Sequence, residues 1–161
     1  MGRYNLHLVG WIAGLTLLLG LSRVIPHPPN FTPILAVGIF VPLLTGKWQH
    51  ALPLTLGAMF IGDLFWGLHP YMAWTYASVA LVSLVALNMS LLVNCIVAPI
   101  IFFIITNFGV WTSGYYGLTL EGLIACYIAA IPFFHMTLLG TIVYTGLFYG
   151  LYKTYSQKVL T

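Results

Sequence analysis

The feature that most restricts this chain is a succession of long apolar runs with almost no charge to separate them. Of 161 residues, 61% are hydrophobic and only 4% are charged. A soluble domain carries roughly a quarter charged residues, so this chain lacks the polar surface needed to face water. The runs therefore read as membrane spans. Residues 1–161 read as a single transmembrane domain, with no room for a soluble catalytic domain. The net charge of +3 rests on five basic and two acidic residues. That is too few for a nucleic-acid surface, and the basic residues serve better to orient the chain. No A-x-A-like cleavage site follows the first run, which reads as a retained helix. Cys95 and Cys126 offer neither metal-ligand spacing nor a disulfide framework.

Six spans are expected, giving an all-α integral membrane protein built as a six-transmembrane-helix bundle. They run from about Leu6 to Ile25, Pro33 to Gly46, Ala51 to Leu68, Tyr71 to Val93, and Cys95 to Thr112, with the sixth inside Leu118–Lys153. The second is short, roughly 14 residues or 21 Å. The last segment is too long for one straight crossing. Pro132 either breaks it into a short helix, Leu120–Ile131, and a span, Phe133–Lys153, or kinks one long helix. With six spans, Arg3, Lys47, Lys153 and Lys158 fall on one side, which the positive-inside rule makes cytoplasmic. Both termini are then cytoplasmic. Arg23 is the exception and lies at the outer end of the first span.

The same parity gathers the remaining polar groups at the outer end. "RVIPHPPNFTPILAVG" (23–38) brings Arg23, His27 and Asn30. "GDLFWGLHPYM" (62–72) brings Asp63, Trp66, His69 and Tyr71. "TNFGVWTSGYYG" (106–117) brings Asn107 and Trp111, and Glu121 opens the last segment. Asp63 is the sharpest signal, because a carboxylate among lipid is costly and turns to a cavity or a partner. Trp66 and Gly67 share its helical face, as Phe103 and Trp111 share that of Asn107. Aromatic walls with a few placed polar groups suit a small-molecule pocket. A plainer reading stands beside this one: Trp and Tyr also gather at membrane interfaces as a belt, and Asp63 also serves as a helix-end partner for Arg23. The prolines fix φ and restrict the residue before them. "PHPPNFTP" is therefore expected to form a stiff outer lid holding His27 and Asn30 over the Asp63 cavity.

Small residues let helices approach closely in lipid. Gly10, Ala13 and Gly14 form such a stripe in the first span, suited to internal packing or to a partner. The chain has no phosphate-binding G-x-x-x-x-G-K-[ST], no H-E-x-x-H and no G-x-S-x-G. Binding without an engine or a reaction is the expectation: no enzyme, no cofactor, no metal.

This combination resembles the substrate-binding S-components of energy-coupling factor (ECF) vitamin transporters, small six-helix proteins with an outward-facing pocket. "RVIPHPPNFTPILAVG", "GDLFWGLHPYMAWTY", "FFIITNFGVW" and "GLIACYIAAIPFF" look like the blocks of an uncharacterised bacterial family of S-component-like membrane proteins. The resemblance implies a bacterial inner-membrane protein. It also implies a vitamin-like small molecule as substrate, and an ECF coupling subunit and ATPases as partners, docked at Gly10, Ala13 and Gly14. There is a fainter similarity to the solitary cobalamin S-component. His27 and Asp63 match its pocket residues in kind and order, which suggests a corrinoid substrate. That group's cobalt-ligating cysteine has no match here, where Met72 and Tyr76 stand instead.

Overall fold

The computed structural model describes residues 3–159, with side-chain surroundings for residues 12–157. The described residues form six α-helices and no strand: α1 (Arg3–Val24), α2 (Ile34–Thr45), α3 (Ala51–Trp66), α4 (Met72–Val85), α5 (Leu91–Thr112) and α6 (Leu120–Val159). Single 3₁₀ turns at Trp48–His50 and Ala86–Asn88 join α2 to α3 and α4 to α5. The expectation of an all-α bundle of six helices holds. Two of them, α5 and α6, are long and apolar enough to cross a membrane, with mean hydropathies of 2.3 and 1.8.

The short α2 is the centre of the bundle. A helix that is apolar all round is stable only when surrounded, and Ile34 to Ile39 is buried residue by residue. It packs on α3, α4, α5 and α6. Gly46 ends it in the left-handed region (φ 69°), donating its N–H to the Pro42 carbonyl at 2.8 Å. Only glycine enters that region without a Cβ penalty. Around α2, buried Ala58, Met59, Val79, Val82 and Ala98 complete an apolar core.

The tightest pair is α1 on α3. The two run in the same direction and mesh small against large. Thr16 sits at Gly57 and Ile61 at Gly20, in each case so closely that a Cβ on the glycine would lie 2.7 Å from its neighbour. One turn further, the Arg23 side chain lies across Gly62, leaving no room for a Cβ there. Glycines at an interhelical contact let backbones close up. Here they also carry Arg23 over the top of α3.

Two expected boundaries are corrected. The fourth helix does not run to Val93: it ends at Val85, and α5 begins at Leu91. Ser90 caps α5 by accepting the Val93 N–H at 3.4 Å. Fully buried Asn94 donates through Nδ2 to the Ala86 carbonyl at 2.9 Å, and to those of Met89 and Ser90 at 3.1 Å. Those side-chain bonds fasten the first turn of α5 to the turn before it and supply the Met89 carbonyl with a donor. Of the two readings of the last segment, a break near Pro132 is overturned and the single long helix holds. It is one helix of 40 residues with Pro132 inside it, about 60 Å long at 1.5 Å per residue. Proline removes one helical hydrogen bond. In an apolar setting, a break would leave more backbone groups unpaired than the proline itself does.

Candidate functional site

Asp63 lies on the last turn of α3 and is 3% exposed, so its charge must be answered within the fold. Both carboxylate oxygens are engaged. Arg23 of α1 donates Nη2 to Oδ1 at 3.0 Å, and Tyr76 of α4 donates its hydroxyl to Oδ2 at 2.8 Å. One acid thereby ties three helices together at one end of the bundle. Trp66, one turn beyond Asp63, donates its indole N–H to the Arg23 carbonyl at 2.9 Å and so holds the end of α1. Arg23 Nε is buried against Gly62 with no hydrogen-bond partner.

Beside this network is a cavity of about 290 Å³. Arg23, His27 and Asn30 from the end of α1 and the proline-rich turn, and Asp63 and Trp66 from α3, all line it. The scarce polar groups expected to share one hollow do so for these five. Trp66 is 66% exposed and forms part of the rim.

The proline-rich stretch forms the roof, as expected. Asn30 takes a left-handed conformation (φ 64°), which asparagine tolerates better than most residues. The Phe31 N–H donates to the Pro28 carbonyl at 3.0 Å, closing the turn. His27 donates Nδ1–H to the Pro28 carbonyl at 2.8 Å. The turn rests on α6: a Cβ on Gly140 would lie 3.2 Å from the Phe31 Cα, and the Phe31 ring packs on Tyr144 at 5.5 Å.

A second lobe of about 180 Å³ adjoins the first, and Asn30, Thr75, Phe102 and Thr137 face both. Asn107 belongs here, with Phe103 and Phe134 as aromatic wall. Phe103 and Phe134 pack at 5.1 Å between centroids.

Two expected pocket residues lie elsewhere. Trp111 lines neither lobe. It packs at a tilt against Phe108, with centroids 5.4 Å apart, and donates its indole N–H to the Thr119 carbonyl at 3.3 Å, anchoring the turn into α6. The inward face of α5 continues from Asn107 to Val110, and Trp111 is turned about 100° further round. Tyr71 precedes the first turn of α4 and packs its ring at 5.8 Å from His69. The inward face of α4 is that of Thr75 and Val79.

Other lining residues were not anticipated. Thr137 and Thr141 of α6 reach the cavity from the far side, where they are 5% and 1% exposed. Their signal was present: Thr137, Thr141 and Thr145 recur every four residues in an otherwise apolar helix, and all three are buried. His69, already gathered with the outer polar groups by the sequence, lines the cavity as well. Trp74 packs into the notch at Gly109, where a Cβ would strike its ring. Of the expected docking stripe, Gly10 falls outside the residues whose surroundings are described. Ala13 is exposed, and a Cβ on Gly14 would meet nothing within 4 Å. The first helix packs on α3 through Thr16, Gly20 and Arg23 instead, which leaves Ala13 and Gly14 free.

No curated protein and no solved structure matches the chain. The model of the family described as "Family of unknown function (DUF6580)" matches residues 5–161, so the chain belongs to that family.

Proposed function

We propose that this chain is a substrate-binding subunit of a membrane transporter, similar in design to an S-component, and that it is a binder rather than an enzyme. All six helices cross the bacterial inner membrane, the termini and Lys47 lie in the cytoplasm, and the cavity opens outward. One observation carries the reading. Arg23, His27 and Asn30 on one segment and Asp63 and Trp66 on another, far apart in the sequence, line one hollow in a chain with few polar groups. Apolar side chains such as Leu92, Ile128, Leu147 and Leu151 are exposed on the outer surface, which suits contact with lipid. The cavity volume, about 290 Å³, is near the lower limit for small-molecule sites. It suits a vitamin-like compound of one or two rings. A corrinoid is too large for it, so a smaller heterocycle replaces the corrinoid expectation. The open face at Ala13 and Gly14 would meet a coupling subunit, which with its ATPases would supply the engine.

Mass spectrometry of gently purified protein tests the proposal. Wild type should carry a stoichiometric small molecule, and the folded Asp63→Ala/Trp66→Ala variant should not. Folded, membrane-extracted wild type free of any such molecule, with both forms alike, would contradict it. A scaffolding role is the second reading, and it has a specific support: both Asp63 oxygens are satisfied inside the fold. On that reading the double variant loses stability but no ligand.

A further inference from the structure

A separate groove of about 570 Å³ runs along the flank of the bundle and shares no lining residue with the Asp63 cavity. It exists because α1 packs closely on α3 and stands off from α2 and α6. The floor of the gap is α2, from Pro33 to Leu44, and its banks are α1, from Leu15, and α6, from Tyr144 to Tyr155. Either stretch of α2 or α6 is about 16 Å of helix. The wall exposes almost no polar atom, and the Ser22 hydroxyl is spent on the Leu19 carbonyl at 2.6 Å. Leu18, Leu44, Leu147 and Leu151 are exposed along it, so nothing in the described fold covers this side of the central helix. At the lower end, α2 stops at Gly46 and the cation Lys47 follows.

These dimensions select the occupant. A length of about 16 Å is roughly half the ~30 Å hydrocarbon core of a bilayer, hence one leaflet. A transmembrane helix, about 10–12 Å across with its side chains, would have over that length roughly twice the groove's volume. An extended alkyl chain fits within it. Left empty, the groove would forfeit dispersion contacts all along α2. A cation at the aqueous edge of that leaflet suits a negatively charged headgroup.

We propose that this groove holds one acyl chain of an anionic glycerophospholipid from the cytoplasmic leaflet, its headgroup toward Lys47 and its chain along α2 toward Pro33. The chain completes the shell around α2 and wedges α1 against α3. It thereby props the helix that carries Arg23 to Asp63. The inference rests on the membrane placement proposed above, and not on any ligand in the Asp63 cavity.

The test places the full-length protein in nanodiscs of mixed phosphatidylglycerol and phosphatidylethanolamine, moves it to mild detergent and weighs it by native mass spectrometry. One phospholipid per chain should remain, enriched in phosphatidylglycerol. Leu18→Trp/Leu147→Trp, at two exposed groove positions, fills the groove and should cut the retained lipid about tenfold. Leu92→Trp, equally open but on α5 and outside the groove, should stay within about twofold of wild type. Lys47→Gln should lower the preference for phosphatidylglycerol about fivefold. No retained phospholipid overturns the inference, as does equal retention in the folded double variant, equal loss in Leu92→Trp, or an unchanged lipid preference in Lys47→Gln. A retained quinone or polyprenyl mass, or a dimer of the chain that the double variant splits, overturns it by showing another occupant. Protein recovered outside the membrane fraction overturns this inference and the transport reading together. Inserted protein that keeps its phospholipid but carries no vitamin-like molecule supports the inference and counts against the transport reading alone.

Discussion

At the residue scale the structure turns on Asp63. Removing one partner of a buried ion pair strands the other, at roughly 3–5 kcal/mol when both are deeply buried. Arg23 is 24% exposed on its side chain, so solvent answers part of its charge and the cost falls. Asp63→Ala is expected to destabilise the protein by about 2 kcal/mol, read by chemical unfolding in detergent micelles. Tyr76→Phe deletes one hydrogen bond and should cost about 1 kcal/mol. Equal costs for the two would mean that Arg23 is not Asp63's principal partner. Gly109 offers a steric counterpart. Gly109→Ala drives a methyl into the Trp74 ring and should cost about 1–3 kcal/mol through overpacking. Asp63 itself was legible in the sequence, because a lone acid in an apolar run must turn to a cavity or to a partner. Tyr76 was not. Its pairing with Asp63 depends on how α3 and α4 are rotated about their axes, and local spacing does not fix that. The same limit accounts for Trp111: a spacing of four from Asn107 suggested a shared face, but the cavity sits on the i+3 side, at Val110.

At the scale of elements, the pattern of apolar runs located six helices. It missed how the ends are set. The boundary between α4 and α5, expected at Asn94, lies earlier, at residues 86–90, where Ser90 caps α5 and Asn94 reaches back to the turn. Their capping bonds to Ala86, Met89 and Ser90 are visible only once the chain folds back on itself. At Pro132 the sequence left two readings open, and the single long helix is the one that holds. Proline is a strong local breaker, yet α6 passes through it unbroken, packed on α5 by the Tyr127 hydroxyl bond to the Ile104 carbonyl (2.6 Å) and by Phe103 against Phe134. Spin labels at the exposed positions Ile124 and Ile142 should lie about 27 Å apart along one continuous helix. A separation well below that would mean the helix is broken at Pro132.

At the scale of the whole molecule, the two ends are unlike. One end holds Arg23, the proline turn and the Asp63 cavity. The other holds Lys47 and, beyond the contact of Tyr152 with Phe40 (6.1 Å), Lys153. Parallel α1 and α3 bring Arg23 and Asp63 to the same end, and the return of α2 carries the chain to Lys47. The most direct test is the reaction of Thr141→Cys, at the cavity wall, with a small membrane-impermeant thiol reagent added to intact cells. Cys95 and Cys126, both buried, are replaced by alanine in the background. A cavity open to the exterior predicts rapid labelling from outside, slowed when Trp66 at the rim is already modified or when ligand is bound. A Thr141→Cys protein that is folded and inserted, yet unreactive from outside or labelled only after the cytoplasmic side is opened, would contradict it.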